Sequence, residues 1–369
     1  MDEAQSELRG ANRYAVYSRM RNDAQVAALL NVIELPIRAA DYTLEPREPS
    51  SVAQEIRDFV AEELFQGNQT FDDFVRQALL MIPYGVMLFE KVFRLRPDGR
   101  IGWERFAPRL PATIVRWDVS PQGEFLGVEQ QVWGRDRRPV YLPAWKLLRF
   151  TYREEAGNFA GRPLLRDVYK HWWYKDTLYR LAALAAERTG VGIPVIQVPR
   201  NAPPMEQERA AAIVRALRAN EEAGVVLPSD FELTLTTGRG FSYLPLIEHH
   251  DRMIAKAALA QFLNLGQTQV GSFALSRSQT DLFLMTLNGI LQHLCGVIER
   301  EGIGQLVWWN YGEGAPVPRL RGKLRTTDAG QFAETLDRLV HGGLLTPDGE
   351  LERVVRESLD LPAQQQPVG

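Results

Sequence analysis

The stretch PLLRDVYKHWWYKDTLYRLAALAAER, Pro163 to Arg188, contains no glycine and no proline after its first residue, and Gly190 follows as a stop. Those two residue types interrupt helices most strongly. The stretch therefore predicts one continuous helix, roughly 39 Å long at 1.5 Å per residue and so longer than a small domain is wide. Its first half is crowded with Tyr169, Trp172, Trp173, Tyr174 and Tyr179. Rings at helical spacing pack into a core or a subunit interface more often than they stack on a ligand.

The elements on either side set an order. Val26, Leu29, Leu30 and Ile33 recur at helical spacing and predict helix up to Pro36, with an extended DYTLEP at 41–46. Ser51 to Phe65 reads as a further amphipathic helix, and Thr70 with Asp73 forms a capping box for one through Leu80. From Gly85 to Phe150 the period shortens. VMLFEKVFRLR, IGWERF, TIVRWDV, FLGVEQQVW and KLLRFTY are separated by PDGR (97–100) and SPQGE (120–124) turns, which predicts an antiparallel meander. This first region is α+β.

Beyond the long helix, GIPVIQVP (192–199), a helix from Met205 to Ala223 and the strand pair GVVLP and FELTLTTG predict a small βαβ-like insert. A second long helix, Leu246 to Leu263, carries Arg252 and Lys256 at i and i+4 on one face. A third runs from Ser278 to Arg300, opened by a capping box of Ser278 and Asp281, and QLVWWNYG then reads as a strand returning to the first region. Two short helices, 329–341 and 347–358, and a disordered QQQPVG are expected in the tail. Between the second and third long helices, Gly266 to Ser276 consists mostly of glycine, serine, threonine and glutamine with no charged side chain.

At 369 residues the chain exceeds the size at which one core stops growing, so two or three subdomains are expected. Hydrophobic and charged fractions of 45% and 24% are those of a globular protein, and no apolar run reads as long enough to span a bilayer. MDEAQSELRGANRY has neither the basic region nor the apolar run of a secretory signal, and the single Cys295 excludes an internal disulfide framework. Folding in a reducing cytoplasm is the expectation. A formal charge of −3 does not advertise nucleic-acid binding by the surface as a whole, so any such contact is local or weak.

No catalytic constellation emerges. Gly266 and Gly271 have the spacing of a phosphate-binding loop, but Ser272 and Phe273 follow where lysine and Ser/Thr belong. The histidines, His171, His249, His250, His293 and His341, form no HExxH, and one cysteine supports no thiolate zinc site. His249 and His250, adjacent on a helix, are expected at a surface or interface. The acidic pairs Asp72/Asp73 and Glu154/Glu155 fit helix-start carboxylates better than a two-metal nuclease centre. Cys295 reads as a buried, inert thiol, and Arg135–Arg138 as a solvated hairpin tip. Neither a cofactor nor a metal is expected.

Several stretches together, however, resemble a known family. IPYGVMLFEKVF, VRWDV, NFAGRPLLRDVYKHWWYKDTLYRLAALAAERTGVGIPVIQVP and DAGQFAETLDRLVHGGL are similar to the portal proteins of tailed bacteriophages, specifically the phage Mu-like portal family, over about 13–360. The resemblance implies an α+β portal fold: a wing at 1–162 and 302–327, stem helices at 163–188 and 244–264, a clip at 189–243, a tunnel loop at 265–277, a long wing or tunnel helix at 278–301 and a short crown at 328–369. It implies a structural ring rather than an enzyme, usually of twelve subunits, at one capsid vertex of the virion and assembled in the host cytoplasm. Double-stranded DNA would pass through its channel without sequence specificity. The terminase large subunit, head-completion or adaptor proteins, and major capsid and scaffolding proteins would be its partners, with no membrane. Gly266, Gln267, Thr268, Gln269, Val270, Gly271, Ser272 and Phe273 would line the channel at the tunnel loop. A ring of lysines or arginines there would hold the moving duplex, whereas these uncharged residues contact it without capture. Arg252 and Lys256 are candidates for phosphate contacts or for subunit salt bridges. The short crown implies a compact member of the family or one with trimmed ends. A metal-dependent nucleic-acid-processing enzyme built on Asp72 and Asp73, or a monomeric binding module, remain the alternatives.

Overall fold

The computed structural model describes residues 6–131, 138–191, 193–199, 201–218, 232–236, 242–258 and 273–325. It opens with helices α1 (Asn12–Met20) and α2 (Ala24–Arg38). Asp23 caps α2, its carboxylate accepting from the backbone N–H groups of Gln25 and Val26 at 2.9 and 3.1 Å. The helix passes through Pro36 instead of ending there. The ring removes a single ladder bond, while Ala39 N–H still reaches the Leu35 carbonyl at 2.9 Å and Ile37 is fully buried; packing outweighs the breaker. Strand β1 (Asp41–Glu45), α3 (Ser51–Phe65) and α4 (Phe71–Ala78) follow. Thr70 caps α4 as read from sequence, its Oγ1 accepting from Asp73 N–H, and Ser50 caps α3, its Oγ accepting from Ala53 N–H. The short α5 (Met81–Tyr84) turns at Gly85, where φ is +91° and a Cβ would sit 2.6 Å from the Ala160 carbonyl.

Six strands come next: β2 (Val86–Leu95), β3 (Ile101–Arg109), β4 (Ile114–Val119), β5 (Phe125–Gln130), β6 (Val140–Pro143) and β7 (Leu147–Thr151). They do not form one meander. β3-β2-β7 and β4-β5-β6 are separate antiparallel sheets, β7 returning to β2 with Val86 opposite Thr151. The reason lies in burial. Met87, Phe89, Leu148 and Phe150 are fully buried in the main core, whereas Val86, Leu88 and Leu147 pack with Val128 and Leu142 in a smaller one. The sheet β3-β2-β7 thus serves a core on each face. At the centre of the larger one, the Phe74 ring lies 4.6 to 5.8 Å from those of Phe106, Phe89 and Phe150.

The free edge of β3 is closed. Trp103 N–H donates to Glu63 Oε2 at 2.8 Å, Phe106 N–H to Gln69 Oε1 at 3.2 Å and Ile101 N–H to Asn310 Oδ1 at 2.7 Å, while Pro108 has none to give. Glu63 is fully buried and also accepts from Arg94 and Arg96. Gly102 makes room for it, because a Cβ there would stand 2.5 Å from Glu63 Oε2.

The long helix α6 (Leu164–Val191) leaves this body. Strand β8 (Ile193–Gln197), α7 (Pro204–Arg218) and β9 (Glu232–Thr236) follow, then α8 (Leu244–Lys256), α9 (Phe273–Val297), a π-helical stretch (Ile298–Ile303), α10 (Gly304–Tyr311) and β10 (Arg319–Lys323), which pairs with β1. Strands β8 and β9 are antiparallel, so the pair lacks the parallel crossover that a βαβ unit requires; GVVLP lies outside the described residues. The segment 305–311 is helix, not strand. Its apolar run has no period of its own, and it continues α9 through the π-turn with Leu306 and Val307 buried. Helix α9 begins at Phe273, which puts Ser278 and Asp281 inside it instead of at a cap; no glycine or proline interrupts 273–288. Contrary to the sequence expectation, Asp281–Tyr311 is long and apolar enough by composition to cross a membrane. Its Phe283, Leu287, Leu291, Leu294 and Ile298 are buried in the main core, which is the use this fold makes of them.

Candidate functional site

Of the residues expected at the channel, Gly266, Gln267, Thr268, Gln269, Val270, Gly271 and Ser272 lie outside the described residues, and Phe273 is the first residue of α9. The two short tail helices and the expected crown also lie outside them. Arg252 and Lys256 share an exposed face of α8. Arg252 Nη1 is 4.0 Å from Glu248 Oε2, a separation too long to commit the guanidinium.

Helices α6 and α8 are held to the body by apolar residues such as Leu164, Leu165, Val168 and Ile254 and by one buried polar junction. Lys175, on α6, is almost completely buried; its ammonium lies 3.0 Å from Asp23, the cap of α2, and 2.6 Å from Asp251 on α8. Burial opposes its charge, but the hydrogen bonds to the two carboxylates outweigh burial and hold its pKa above the usual lysine range. One lysine thus ties three helices, a junction that sequence separation hides. Beside it, His171 Nδ1 of α6 meets His250 Nδ1 of α8 at 3.1 Å, and Tyr174 stacks on His250 with ring centroids 5.8 Å apart. His249 completes the group, its ring centroid 6.4 Å from that of His171. The adjacent histidines do sit at an interface, within the chain; the partner His171 was not legible.

The outward side of α6 carries exposed apolar residues. Trp173, Tyr174, Leu181 and Leu184 are exposed and fall within an arc of about 100° at 3.6 residues per turn. Tyr169, by contrast, is buried and Trp172 packs against the core. The aromatic run thus divides between the inner core and an unfilled surface. On α9, Leu282, Leu284 and Met285 are exposed, Met285 to 69%.

The carboxylates proposed for an enzyme are otherwise engaged. Asp72 receives two hydrogen bonds from Arg38, at 3.0 and 2.7 Å, and Asp73 is bonded by Arg76 and Gln77. These guanidinium contacts hold both carboxyls below the usual range. Glu154 pairs with Arg149 at 2.6 Å. Among the described residues, no group of three or more His, Cys, Asp or Glu side chains is spaced to hold a metal ion. Burial raises the Cys295 thiol to about 12, which leaves it unreactive.

Comparison with known proteins bears on the whole arrangement. The family model described as "Portal protein of Mu bacteriophage" matches residues 14–358. The fold is similar to that of a chain from the neck of an empty gene transfer agent particle, computed with C6 symmetry, at a TM-score of 0.63 and 12% identity, covering 97% of this chain and 93% of that one. A chain from the neck of the native particle, computed with C12 symmetry, gives 0.60 and 12% over 94% and 93%. An HK97 family phage portal protein from Corynebacterium diphtheriae gives 0.51 and 14% over 87% and 96%. The chain belongs to the portal protein family of Mu bacteriophage, the proteins of the capsid's portal vertex.

Proposed function

We propose that the chain assembles with copies of itself into a closed ring, of twelve subunits, whose axial channel passes double-stranded viral DNA during packaging and ejection. In this reading α6 and α8 form the stem, residues 189–243 the clip that docks the terminase large subunit and later the head-completion or adaptor proteins, and 1–162 with 302–327 the wing against capsid and scaffold. Residues 265–277 are the tunnel loop, and 328–369 a short crown. The ring sits at the portal vertex of the virion and is built in the host cytoplasm.

The observation that carries the ring is the exposed apolar arc of α6, on a helix whose other side is already fixed to the body through Lys175. Exposed apolar side chains clustered in this way mark an interaction site. The neighbouring folds from particles computed with C6 and C12 symmetry support a ring over an open chain of contacts. Native mass spectrometry with negative-stain imaging tests it: rings of about a dozen subunits around a central hole are expected, and a monomer at every accessible concentration, with or without scaffold, refutes it.

The channel role of Gly266–Phe273 has its own test. Val270→Lys adds one positive charge per subunit where DNA must slide. Rings should assemble as before while packaged DNA per particle falls, and normal packaging by the variant ring would remove the loop from the channel.

A further inference from the structure

Two ring nitrogens face each other where α6 meets α8. At 3.1 Å, His171 Nδ1 and His250 Nδ1 form a hydrogen bond in which one must donate and the other must accept. The pair keeps that bond with both rings neutral or with one protonated. With both protonated, each nitrogen carries a hydrogen and a positive charge, and the contact becomes repulsive.

We propose that His171 and His250 form a proton-sensitive joint between α6 and α8, closed while they share a hydrogen bond and opened when both rings are protonated. The joint is independent of ring assembly and of any role in the channel. The balance of its surroundings opposes protonation. On α6, Lys170 adds a like charge; on α8, His249 adds a third ring, its centroid 5.3 Å from that of His250. Asp251 is the one nearby carboxylate on α8 that favours protonation of His250, and much of its charge is already matched by Lys175. Asp23, from the cap of α2, is held by the same lysine. From α1, Arg19 lies over Trp172, 5.9 Å from its ring, and supplies no counter-charge. Glu248 lies toward Arg252.

The direction of the titration follows. Burial first, then the neighbouring cationic groups, lower the pKa of both His171 and His250 in the folded chain. A base depressed on folding leaves the unfolded or opened state with the greater proton affinity. The joint's contribution is therefore complete above the ordinary imidazole value, about 6.5, and is lost as pH falls through the lowered values.

Hydrogen exchange on the full-length protein in its assembled state reads this locally. Between about pH 7.5 and about pH 5.5, corrected for intrinsic exchange, protection of peptides spanning 244–258 should fall severalfold. In the His171→Asn/His250→Asn double variant that loss should disappear. Lys170→Ala, at an exposed position that leaves the contact intact, should move the midpoint of opening to higher pH. Protection that is independent of pH in the wild type, a loss that persists in the double variant, or a midpoint unmoved by Lys170→Ala would each overturn the joint.

Discussion

Phe74 and Trp173 are both large aromatic side chains on helices, yet one is enclosed and the other is bare. Phe74 is ringed by Phe89, Phe106 and Phe150, and the polar groups near that core, Glu63 and the outward N–H groups of β3, are supplied with partners from the same chain. This core completes itself. The α6–α8 region does not: its inner side is closed by Lys175 and the histidines, with Tyr174 stacked on His250, while Trp173, Leu181 and Leu184 are left exposed. Such a difference separates residues that make the subunit fold from residues reserved for what the subunit meets.

Substitutions can break this comparison. Phe74→Ala should cost the isolated subunit about 3–5 kcal/mol, the range for truncating an enclosed aromatic, seen as a large drop in the denaturation midpoint. Glu63→Ala, which strands the Trp103 N–H and two arginines, should cost about 2–3 kcal/mol by the same measurement. Trp173→Ser with Leu184→Ser should change subunit stability by no more than about 0.5 kcal/mol each while abolishing ring formation in native mass spectrometry. If the α6 pair destabilised the subunit as much as Phe74→Ala does, the division between self-complete body and reserved face would fail.

Much of the body was legible because its signals are local. Thr70 announces α4, the amphipathic run from Ser51 announces α3, and the PDGR turn places β2 against β3 with Leu95 opposite Ile101. What sequence did not disclose is decided at a distance. Nothing near Leu147–Thr151 says that it pairs with β2 instead of β6; the partition of Val86, Leu88 and Leu147 into a second core does. QLVWWNYG misreads as a strand because apolar and aromatic residues in a short run fit either period, and the preceding helix extends into it. The site was less legible still. His171 and His250 are 79 positions apart, and Lys175 and Asp23 are 152 apart, so only the packed chain brings them together. The residue pattern identified the helices that carry these residues but not the junction between them.

The capped edge of β3 governs how copies of this chain can grow onto one another. An open strand offers a template that any further copy extends in the same way, without a natural stopping point. Glu63, Gln69, Asn310 and the imino nitrogen of Pro108 withdraw that template on this edge. A copy arriving there meets side chains in place of an open strand, so this edge does not seed unlimited extension.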